Sequence, residues 1–118
     1  MNKVAIVVLA DIGTLEGLGR VVNALQTVKE FKEAQDEVQL IFDGAGTKWI
    51  GELSKPDHNY KDLFAAVKDK TTGVCDYCAN AFGVKEEVQK SGCPLTEDYE
   101  GHPSFQKLVS AGYQIITF

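Results

Sequence analysis

The chain has few of the residues that announce a specialised class of protein. Its 118 residues include three prolines, one methionine, one tryptophan, two histidines and three cysteines. No apolar run approaches the roughly 20 residues that a membrane-spanning helix requires, so no membrane partner is expected. Lys and Arg number 12 against 17 Asp and Glu, a net charge of −5. Phosphate-binding surfaces draw most of their affinity from Lys and Arg, and no basic cluster stands out, so no nucleic-acid partner is expected either. Three cysteines, an odd number, without an evident export signal argue against a disulfide framework and for a reducing compartment; a cytoplasmic location is expected. The apolar fraction of 44% and charged fraction of 25% are ordinary for a globular protein, and the length suits one α/β domain over residues 1–118 with a single core.

What is present alternates. Residues 4–9, Val-Ala-Ile-Val-Val-Leu, form a continuous β-branched run, the pattern of a parallel strand covered on both faces, and the run is expected at the sheet centre. Thr14 is a candidate N-cap for a helix reaching Ala34, with Leu18, Val21, Val22, Leu25 and Val28 at helical spacing. Residues 38–42 read as a second strand. The loop from Asp43 to Thr47 leads into one or two helical turns around Trp49, and Tyr60, Leu63, Phe64 and Val67 mark another helix. Residues 71–74 read as a third strand, followed by a helix over 75–82 that Gly83 terminates in a left-handed conformation. Residues 84–89 continue as helix, and 93–96 form a brief fourth strand or a loop. Pro103 fits the first position of a last helix whose apolar stripe is Phe105, Leu108 and Val109, and residues 113–118 close the chain as a strand. This order predicts a mainly parallel sheet of about five strands between two helical layers. Ligands of such sheets gather beyond the carboxyl ends of the strands, where the loops at 11–14 and 43–48 and the Val74-Cys75 junction should meet.

Cys75 and Cys78 stand one helical turn apart at that junction. A thiol at a helix start lies near the positive end of the helix dipole and near free backbone N–H groups, both of which favour the thiolate. The pair admits three readings: a redox dithiol, a sulfur carrier, or half of a metal site. For zinc the remaining ligands would be Cys93 with His58 or His102, scattered singly rather than paired, and no metal is expected. His102 reads as a loop residue ahead of the last helix rather than a catalytic base. The loop from Asp43 to Thr47 could hold an anion on its N–H groups or be a tight strand-to-helix turn. Gly17 and Gly19 read as close-packing sites in the first helix or as flexibility at its start. Trp49 could line a subunit contact or cleft, or belong to the core.

The chain resembles the DsrE/DsrF-like family of small sulfur-relay proteins, which includes the TusD-type sulfurtransferase subunits. The features that carry the resemblance are the opening strand and long helix, Phe42-Asp43-Gly44 closing the second strand, Val74-Cys75 ahead of an alanine-containing helix that ends at Gly83-Val84, and the terminal Gly112 to Phe118. The resemblance implies a three-layer α/β/α fold, flavodoxin-like in appearance, and assigns the persulfide-carrying thiol to Cys75. It implies transfer of sulfane sulfur between donor and acceptor proteins or small thiols, no cofactor, and a homo-oligomer, trimer or hexamer. Family members often carry basic residues just before the terminating glycine, where this chain has Ala81-Phe82. Cys78 is then a second thiol that resolves a persulfide on Cys75, or a bystander. A dithiol oxidoreductase and a non-catalytic oligomeric binding or regulatory protein of the same fold are the alternatives.

Overall fold

A computed structural model describes residues 1–118. In chain order the elements are β1 (Lys3–Val8), α1 (Leu15–Glu33), β2 (Glu37–Phe42), α2 (Trp49–Leu53), α3 (Lys61–Val67), β3 (Thr71–Cys75), α4 (Asp76–Ala81), α5 (Lys85–Ser91), β4 (Leu95–Thr96), α6 (Phe105–Ser110) and β5 (Gln114–Thr117). The five strands form one sheet in the order β4-β3-β2-β1-β5, and every pairing is parallel. The central strand is therefore β2, with β1 between it and β5. The apolar run of β1 correctly marks a strand flanked on both sides, but β3 and β4 both add beyond β2 while β5 alone adds beyond β1. No helix is long and apolar enough to cross a membrane.

The alternation along each strand separates two unequal layers. Val4, Ile6 and Val8 of β1, Val38, Leu40 and Phe42 of β2 and Val74 of β3 point into the main core. There they meet Val21, Ala24, Leu25 and Val28 of α1, Trp49, Ile50 and Leu53 of α2, Phe64 and Val67 of α3, Ala79 of α4 and Val88 of α5. On the opposite face Ala5, Val7 and Ile41 are buried against Phe105 and Leu108 of α6 and the β5 region residues Tyr113 and Ile115. Five helices thus cover one face and α6 covers the other. Stabilisation scales with apolar area removed from water at roughly 25 cal/mol per Å², so the five-helix face, with the larger buried cluster, contributes most of the core's stability.

Local signals explain the boundaries. Thr14 caps α1, its hydroxyl accepting from Gly17 N at 2.9 Å. Gly83 takes φ +71 just past α4. The last helix begins later than Pro103 suggests: Ser104 is its N-cap, accepting from Lys107 N at 3.2 Å, so Pro103 lies outside the helix. Its stripe is also narrower, because Val109 is 61% exposed; a helix of six residues over a thin layer has room to bury only Phe105 and Leu108. Trp49 belongs to the core and donates Nε1–H to Ala10 O at 2.9 Å. In the 3₁₀ turn Gly44–Lys48 the backbone lies against the end of β1, where a Cβ on Gly46 would collide with the Val8 carbonyl.

Candidate functional site

Three neighbouring strands end beside one another at the carboxyl edge, and each contributes to one cluster. Asp43 follows β2, Cys75 is the last residue of β3, Cys78 lies one turn into α4, and His102 is carried by the segment after β4. The ligand atoms of Asp43, Cys75, Cys78 and His102 all lie within 4.8 Å of one another.

Cys75 is both strand end and N-cap of α4, its Sγ accepting from Cys78 N at 3.3 Å. The same sulfur lies 3.3 Å from His102 Nδ1 and 3.8 Å from Gly101 O. The direction of the Sγ–Nδ1 contact follows the imidazole tautomer: with the proton on Nε2, Nδ1 is an acceptor for the thiol, as Gly101 O also is. A tight turn holds His102 in place. Tyr99 and His102 exchange both backbone bonds, at 2.9 and 2.8 Å, across Glu100 and Gly101 with φ 48 and 86. Both central residues are left-handed, as in a type I′ turn. Gly101 O accepts from Tyr77 N at 2.9 Å, and the Tyr77 ring lies 4.8 Å from the His102 ring at 35°. Asp43 is fixed as well: its Oδ1 accepts from Gly44 N at 2.8 Å and lies 3.5 Å from Cys78 Sγ.

The electrostatics correct the expectation of a thiolate at the helix start. Cys75 is fully buried, and desolvation pushes its thiol well above the ordinary cysteine range. Its contacts with the Cys78 thiol and the nearby Asp43 carboxylate push in the same direction, while the Cys78 N–H pulls the other way. The dipole of a six-residue helix does not outweigh loss of hydration. Cys78 is half-buried and Cys93 is buried in the main core. His58 stays with Trp49 and Tyr60, its Nδ1 accepting from Tyr60 N at 3.1 Å. Neither Cys93 nor His58 joins the cluster. Asp43 and His102 complete the cluster beyond the expected thiol pair. In the sequence His102 stands out only as one of two histidines that could serve zinc, and Asp43 only as the start of a loop at the reactive edge.

The Asp43 loop is a packed turn rather than an open anion cradle. Gly44 N is taken by Asp43 Oδ1, and Gly46 N donates to Asp43 O at 2.9 Å. Lys48 supplies a positive charge close to the position where Ala81-Phe82 lacks one. Its Nζ sits 4.8 Å over the Phe82 ring and pairs with Asp11 at 3.2 Å. Gly17 packs tightly against Asp11 O and Thr14, whereas a Cβ on Gly19 would meet open space.

The DsrE/DsrF-like family model matches residues 3–118. The chain is 39% identical over 94 residues to the uncharacterized protein MJ0733 of Methanocaldococcus jannaschii, covering 80% of this chain and 76% of that protein. Two solved structures share the fold. The ychN protein of E. coli has a TM-score of 0.62 at 19% identity, with 100% of both chains covered. A conserved protein of unknown function from Bacteroides thetaiotaomicron, BT1422, has a TM-score of 0.64 at 13% identity, covering 97% of this chain and 94% of that one.

Proposed function

The chain belongs to the DsrE/DsrF-like family, and on that premise we propose that it is a sulfur-relay protein carrying sulfane sulfur as a persulfide on Cys75. The observation that supports this reading is the contact of Cys75 Sγ with His102 Nδ1 at 3.3 Å at the β3-α4 junction. A buried thiol needs a proton acceptor before it can act, and thiolate is the attacking form.

In loading, His102 takes the Cys75 proton and the thiolate attacks the outer sulfur of a donor persulfide, R–S–SH. The donor S–S bond breaks, R–S⁻ leaves and is protonated by the imidazolium, and Cys75 holds S–SH. In release, an acceptor thiolate attacks the outer sulfur, the Cys75 S–S bond breaks, and the Cys75 thiolate recovers a proton. Neither step needs a net oxidant. Cys75 is buried with Gly101 O and His102 Nδ1 against its sulfur, so in this reading outward movement of their turn admits the donor. Rehydration on opening also removes the main cause of the high thiol pKa. Sulfur donor and acceptor proteins or small thiols are the partners this chemistry requires.

Intact-mass analysis of metal-free protein after treatment with a persulfide donor tests the proposal. One added sulfur is expected on the parent chain and on Cys78→Ser, and none on Cys75→Ser. Equal loading of all three rejects it. The proximity of the two sulfurs, within 4.8 Å, favours one second reading, a dithiol oxidoreductase. Its signature is a reversible Cys75–Cys78 disulfide with no sulfur adduct.

A further inference from the structure

The cluster at the carboxyl edge has a property that sulfur transfer does not require. Persulfide chemistry needs one thiol and a proton acceptor, yet four metal-binding side chains of three chemical kinds converge here from separate parts of the chain. We propose that Asp43, Cys75, Cys78 and His102 form a tetrahedral binding site for a thiophilic divalent cation of the zinc class.

Zinc bonds of about 2.3 Å to sulfur and about 2.0–2.1 Å to nitrogen or oxygen, at tetrahedral angles, place the ligand atoms roughly 3.4–3.8 Å apart. Cys75 Sγ to His102 Nδ1 is 3.3 Å and Cys78 Sγ to Asp43 Oδ1 is 3.5 Å, and the other separations fall within 4.8 Å. Two of the separations thus stand at or near tetrahedral values, and the widest has at most about 1 Å to close. Two thiolates, an imidazole and a carboxylate suit a borderline-soft ion and disfavour magnesium or calcium, which prefer all-oxygen shells.

The surroundings also fit a metal site. Cys78 N–H already points at Cys75 Sγ, Gly44 N–H holds the Asp43 carboxylate, and Tyr77 packs on the His102 ring. Such outer contacts orient ligands and tune their basicity. Cys75 is buried while the other three side chains are partly exposed, which leaves an approach for the ion. Four protein ligands fill the shell, so the ion would tie the turn carrying His102 to the ends of β2 and β3 rather than activate water. Zinc and sulfane sulfur both use the Cys75 sulfur, so wherever the carrier reading holds, each excludes the other.

Titration of reduced, metal-free protein with Zn²⁺ against a chromophoric chelator tests the site. One equivalent is expected, with affinity weakened at least about tenfold in each of Cys75→Ser, Cys78→Ser, His102→Ala and Asp43→Asn, and unchanged in Cys93→Ser. Co²⁺ in place of zinc should give the intense visible bands of a tetrahedral thiolate site. Absence of stoichiometric zinc, retention of full affinity in Cys75→Ser or Cys78→Ser, or a weak octahedral cobalt spectrum overturns the proposal. Sulfur loading is read in EDTA and zinc binding without any sulfur donor, so either reading can fail while the other stands.

Discussion

Cys75 and Cys93 are both buried, yet their surroundings differ in kind. Cys93 lies in the main apolar cluster with residues of α1, α2 and α5, where a thiol serves as a small hydrophobe. Cys75 is more deeply buried but meets an imidazole nitrogen, a carbonyl oxygen and a backbone N–H. Depth therefore does not distinguish these two thiols. The polar atoms within reach of the sulfur do, and on the proposed readings they decide whether the proton has somewhere to go and whether an ion has somewhere to sit.

The sharpest way to break this contrast is to remove the acceptor. His102→Ala should slow sulfur loading of Cys75 at neutral pH by about 100-fold or more, the usual scale for loss of general acid–base catalysis. The deficit should narrow as pH rises and hydroxide replaces the imidazole. Stopped-time mass analysis between pH 7 and pH 10 checks this, and an unchanged rate at pH 7 would show that His102 only covers the thiol.

A smaller effect should come from the other cysteine. Cys93→Ser places a hydroxyl in the apolar cluster and should cost about 1–3 kcal/mol, read as a lower urea midpoint, with sulfur loading unaltered. Loss of loading in a folded Cys93→Ser protein would erase the distinction between the two sites.

The smallest effect is a linkage. The folded state raises the Cys75 thiol above its ordinary value of 9.0, so the fold favours the protonated form. That contribution is fully present below about pH 9 and is lost as pH climbs beyond it. Urea midpoints in EDTA at pH 7 and pH 10 should fall further for the parent chain than for Cys75→Ser. Equal falls would mean that burial does not hold the proton.

Much of the fold is legible in the residues. The β-branched run of β1, the Thr14 cap, the Gly83 terminator and the alternation of elements all survive in the structure, because each is a local signal with a local cause. Expectations that depended on neighbours fared less well. The place of β1 within the sheet and the burial of Val109 each turned on how many strands or helices cover a given surface, whereas the start of α6 turned on a local competitor, the Ser104 cap. For the site, spacing singles out Cys75 and Cys78, while Asp43 and His102 look like an ordinary turn acid and an ordinary loop histidine.

The sequence alone determined a parallel α/β domain with a pair of thiols where a strand gives way to a helix, since periodicity and helix-end chemistry act over a few residues. Tertiary structure decided which side chains stand beside those thiols. Parallel strands end in register, so the ends of β2 and β3 bring Asp43 and Cys75 to one edge, and the turn after β4 folds His102 back onto it, regardless of separation along the chain. Burial at that edge then set the protonation of Cys75, a property of the surrounding dielectric and neighbouring charges that no stretch of sequence carries by itself.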